Sequence, residues 1–159
     1  MYVEYDDGAG RCRRDCYSRE IINMNNDGRG ILAVIGRILL AAMFLTAGVG
    51  KITGFGGTVG YIASAGVPAA TIAAMLTIIL EIGGSIALIA GFHARLAALL
   101  LAAFTLLVTF IFHGWWSLPA DQQMVQQLLF FKNIGVAGGL LMVAAQGAGS
   151  WSLDARRLR

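Results

Sequence analysis

The residue in this chain with the most chemistry to offer is a carboxylate in the middle of an apolar run. Glu81 sits in an otherwise uncharged stretch from Val67 to Phe92. At about 1.5 Å per residue, that stretch is long enough to cross a hydrocarbon core of roughly 30 Å. An acid at bilayer mid-depth costs at least ~2.5 kcal/mol, so it normally faces a protein interior and has a partner. Thr77, Glu81 and Ser85 recur every four residues and share one helix face. Gly83, Ala87 and Gly91 recur likewise on an adjoining face, where a neighbouring helix can come close.

Two bases lie inside other apolar runs, Arg37 in the first and Lys132 with Asn133 in the last. Counted from one side of the membrane by helical rise, Arg37 lies about 9 Å in, Glu81 about 15 Å and Lys132 about 21 Å. An acid between two bases can stay ionised in a low dielectric. Such a group can hold a polar head group or pass a proton. The expected inner site is therefore Arg37, Glu81, Lys132 and Asn133. Lys51, His113 and Trp115, with Trp116 beside it, form an expected second cluster at the outer interface. A network of purely structural ion pairs is the alternative reading of the inner group.

Other chemistries fit the residues poorly. His93 and His113 fall at opposite ends of one predicted helix, about 30 Å apart, too far to be the axial ligands of one haem. Cys12 and Cys16 are the only cysteines. Their C-x-x-x-C spacing cannot complete a four-ligand zinc site, and they are not where a quinone-coupled thiol enzyme needs them. No metal site is expected. The glycines from Gly54 to Gly60 lack the Lys-Ser/Thr of a phosphate loop and read as loop and packing residues.

The elements that must position these residues follow from composition. The 159 residues are 57% hydrophobic and 13% charged, about half the charge of a soluble domain, with a mean hydropathy of +0.70. The fold class is all-α: a polytopic membrane protein built as a four-transmembrane-helix bundle. Spans are predicted at about 31–50, 67–92, 95–113 and 127–146. Residues 30–149 form one transmembrane domain, flanked by a polar, disordered tail over 1–29 and a basic tail over 150–159. Met24, just before the first span, is a candidate start. Residues 53–66 are too short and glycine-rich to span and read as an interfacial loop with a short helix.

Arginines crowd the termini and the middle turn: Arg11, Arg13, Arg14, Arg19, Arg29, Arg95, Arg156, Arg157 and Arg159. The two opposite loops carry only Lys51. By the positive-inside rule both termini are cytoplasmic. The net charge of +3 is mild and suits a membrane surface; no nucleic-acid partner is expected.

An ordered series of small motifs resembles the DoxX family of small bacterial inner-membrane proteins. It comprises Gly36-Arg37, Gly50-Lys51-Ile-x-x-Phe55, Gly66-Val-Pro68, Glu81-x-Gly-Gly84 and Gly91-x-x-x-Arg95. His113, Phe131-Lys132-Asn133-x-x-x-x-Gly138-Gly139 and Ser152-Leu-Asp154 complete it. The match runs from about Gly30 to Asp154. The resemblance implies a four-helix membrane bundle and an association with membrane redox assemblies, such as a quinol oxidase and a thiosulfate:quinone oxidoreductase. It therefore implies an accessory subunit more than a catalyst. A quinone or quinol is the candidate cofactor. Redox-complex subunits, the lipid bilayer and a second copy are the candidate partners. A small-solute binding or transport module, or a scaffold without chemistry, are the competing readings.

Overall fold

A computed structural model describes residues 8–157. Six helices follow in order: α1 (Gly8–Thr53), α2 (Phe55–Ser64), α3 (Ala70–Ala90), α4 (Ala94–Phe112), α5 (Ala120–Gln146) and α6 (Leu153–Arg157), with a 3-10 turn at Trp115–Ser117. No strand occurs among them. Four segments are long and apolar enough to cross a membrane: Gly28–Thr53, Ala70–Ala90, Ala94–Phe112 and Ala120–Gln146.

The core is made of small residues. Ala41, Ala97, Ala98 and Ala102 pack with Phe44, Leu88, Leu101 and Leu140. Large aliphatics such as Leu32, Leu39, Leu76, Ile79 and Leu128 point outward. A soluble protein would do the reverse. In lipid, burying leucine gains nothing over leaving it in the tails, so small side chains that let backbones approach are what hold the helices together. Packing runs α1 against α3, α3 against α4, and α4 against α5.

Three departures from the predicted elements have plain causes. Helix α1 reaches back to Gly8, where a disordered tail is expected up to residue 29. A helix already nucleated by its span extends one hydrogen bond at a time. The glycine-rich stretch holds the expected short helix, but that helix takes up most of its length. Helix α2 continues α1 after a bend at Gly54, where Gly54 N–H donates to Gly50 O at 2.9 Å and Thr58 N–H to Gly54 O at 3.0 Å. Helix α3 begins at Ala70, not at residue 67, and Pro68 lies in the turn before it.

One packing glycine differs from the expected one. Gly83 has open space where a side chain would be, whereas a Cβ on Gly84 would lie 2.9 Å from the Leu101 side chain. A Cβ on Gly48 would lie 2.8 Å from Ile82 Cγ1. Helix rotation selects which glycine of a neighbouring pair faces a partner, and periodicity alone does not.

The α3–α4 turn is closed by Gly91. Its φ of +65° is costly for a residue with a Cβ. There Phe92 N–H reaches Ala87 O and Gly91 N–H reaches Leu88 O, the paired bonds of a Schellman stop.

Candidate functional site

Glu81 is 4% exposed, on the face of α3 that also buries Ser85. Its register against α1 is antiparallel. Arg37 meets the Leu88 carbonyl, Ser85 Oγ lies 3.1 Å from Ala41 O, and Gly48 lies against Glu81 and Ile82. One turn beyond Gly48 comes Lys51, whose ammonium donates to both Glu81 carboxylate oxygens at 2.8 Å. The side chain of Lys51 keeps 28% of its surface, that of Glu81 6%. Ser85 Oγ is also 2.6 Å from Glu81 O and shares one proton between the two carbonyls. On α4, Thr105 and Thr109 are buried and return their hydroxyls to Leu101 O and Thr105 O. Polar side chains in the bundle interior are thus satisfied within it.

The predicted grouping of Arg37 and Lys132 around Glu81 does not form. Arg37 is 2% exposed but bonds to backbone: Nη1 to Leu88 O at 3.1 Å, Nη2 to Trp151 O at 2.8 Å, and Nε to Ala33 O at 3.4 Å. Lys132 is exposed on α5. The buried face of that helix carries Asn133, Ala137 and Leu140, so the adjacent lysine turns about 100° away from it. Which helices adjoin and which way each faces decides the pairing. Lys51 accordingly leaves the predicted outer cluster. His113 pairs through Nδ1 with Gln126 Oε1 at 2.7 Å, and Trp115 packs edge-on against Trp116, which packs on Phe130.

A second polar assembly lies where the C-terminal segment meets the α3–α4 turn. Asp154 accepts the N–H of His93 at 2.8 Å and of Ala94 at 3.0 Å, one on each oxygen. Helix α4 has no side-chain cap of its own, so Asp154 supplies one from 60 residues away. The Asp154 N–H donates to Gly91 O at 2.9 Å, and Arg157 lies over the Phe92 ring at 4.6 Å. Only the Ser152-Leu-Asp154 motif hinted at this contact.

Burial pushes the Asp154 carboxyl up, but the Ala94 and His93 N–H bonds and the nearby charges of His93 and Arg157 outweigh it. The net effect holds it below its ordinary range. The stabilisation it gives is full above the unfolded value of about 3.9 and is lost as pH falls through the lower folded value. The melting temperature of Asp154→Asn in detergent should therefore lie below wild type at neutral pH. The gap should narrow as pH falls below about 4. A gap that is constant with pH would show that the charge contributes nothing.

The DoxX family model matches residues 32–114, the segment holding Arg37, Lys51 and Glu81. The chain belongs to the DoxX family. "Inner membrane protein YqjF" of Escherichia coli is 42% identical over 121 residues, covering 76% of this chain and 88% of the relative. "Inner membrane protein YphA" of the same organism is 36% identical over 128 residues, covering 80% and 91%. "Surfeit locus protein 4 homolog" of Drosophila melanogaster is 28% identical, covering 81% of this chain and 42% of the relative. No solved structure matches the chain. This DoxX chain, with its four spans, is a multi-pass inner-membrane protein. Lys132, Asn133 and Asp154 lie beyond the DoxX match.

Proposed function

We propose that this DoxX-family chain is an accessory subunit of a membrane redox system, and that Lys51 and Glu81 receive a quinone or quinol head group. One observation carries the reading. Lys51 holds a buried carboxylate by both oxygens, yet 28% of its side chain stays accessible from outside the bundle. A quinone carbonyl needs a hydrogen-bond donor, and a quinol hydroxyl needs an acceptor. An ammonium–carboxylate pair offers both within the spanning segments, and the outward aliphatic faces of α1 and α3 give the apolar tail a surface to lie along. A solute-binding module without chemistry would use the same pair, and quinone content separates the two readings. Purified wild-type protein should retain quinone through a mild detergent wash, and Lys51→Met combined with Glu81→Leu should lose it. Wild type that carries no quinone, and whose melting temperature is unmoved by an added short-chain quinone, sinks the reading.

We also propose that both termini are cytoplasmic. The support is the arginine distribution: Arg29, Arg95, Arg156 and Arg157 stand at the span ends on one side, Lys51 at the other. Reporter fusions after Ser117 and after Arg157 should report opposite sides of the membrane. The same side from both would rule this out.

A further inference from the structure

A cavity of about 1390 Å³ opens between α1 and the C-terminal segment, remote from Glu81. Its wall includes Arg29 at the start of the first span, Arg156 on α6, and Trp151 between them. Both arginines are exposed, as is Trp151 at 56%. None of the described residues lining it is acidic. The cavity sits where spans stop, for Ala90 ends α3 and Gln146 ends α5, and both line it. That is headgroup depth, where tryptophan also prefers to lie. Below the basic mouth the wall becomes apolar at Ala33, Val34 and Ala90. The far wall is fixed, because the Trp151 carbonyl is held by Arg37 at 2.8 Å.

We propose that this cavity binds the head group of an anionic phospholipid. Two guanidinium groups, one from α1 and one from α6, offer a phosphodiester the paired N–H donors through which arginine grips it. The apolar floor matches the glycerol and first acyl carbons. A free phosphate has no use for that floor, so the combination favours a lipid over a soluble anion.

The test uses the purified full-length chain in a neutral detergent, with melting temperature read against added phosphatidylglycerol, phosphatidylcholine or inorganic phosphate. Phosphatidylglycerol should raise it in a saturable way, and the other two should not. Arg29→Gln combined with Arg156→Gln should weaken the phosphatidylglycerol effect by about tenfold or more. Both side chains are exposed, so the same variant should melt like wild type without lipid; equal melting there separates lost binding from lost folding. Equal stabilisation by phosphatidylcholine would overturn the proposal. So would stabilisation by phosphate alone, or an undiminished lipid effect in a double variant that melts normally. A double variant already destabilised without lipid would overturn it too, since the arginines would then be structural.

Discussion

Lys51→Met should destabilise the bundle by about 3 kcal/mol, the low end of the cost of breaking a buried ion pair. The low end applies because Lys51 keeps 28% of its side-chain surface and is partly screened. What is lost is less the attraction than the compensation. Glu81, 4% exposed, has Lys51 as its charged partner, and without it an acid stands uncompensated among apolar helices. Lys51→Met combined with Glu81→Leu should recover most of the stability, since replacing a whole buried pair with apolar residues is often neutral or better. Lys132→Met should stay within about 0.5 kcal/mol of wild type, as exposed positions usually do. Thermal unfolding in one detergent gives all three values. A Lys132→Met variant that melts earlier than Lys51→Met would show that Glu81 is held from α5 after all.

Gly91→Ala should be comparably severe, by about 2–4 kcal/mol once its separate causes are added. The alanine must adopt a φ of +65°, costing about 1 kcal/mol. Its Cβ would overlap the Arg37 guanidinium and lie 2.5 Å from Ser152 Cβ. Displacing the guanidinium strands the Trp151 carbonyl, at about 1–3 kcal/mol for an acceptor left unsatisfied, while the Leu88 carbonyl keeps the Gly91 N–H. Arg37→Leu should lose the same bonds without the backbone strain. Arg37→Lys should recover only part, since an ammonium cannot reproduce the planar fork that reaches several carbonyls. Melting temperature and the rate of limited proteolysis near Trp151 are the readouts. A Gly91→Ala variant with wild-type values in both would show that the C-terminal segment does not depend on this contact.

The spans were legible because a bilayer imposes long apolar runs on any helix that crosses it. The shared face of Glu81 and Ser85 followed from four-residue spacing. The partner of Glu81 did not follow. Depth counted along each helix ignores rotation, and rotation sends Lys132 outward while Asn133 faces in. Lys51 was hidden because the first helix appeared to end at an interface, whereas it bends at Gly54 and continues as α2. The cap that Asp154 provides for α4 leaves no local pattern, because donor and acceptor are 60 residues apart.

That distance has a consequence for how the chain is made. Residues leave the ribosome in order, so α4 exists for the whole time that α5 is being synthesised with His93 and Ala94 unmatched at its head. Only after Asp154 emerges can its carboxylate cap those two N–H groups. The cap on α4 therefore forms only after all four spans have been made. A chain stopped short of residue 154 carries an α4 without that cap.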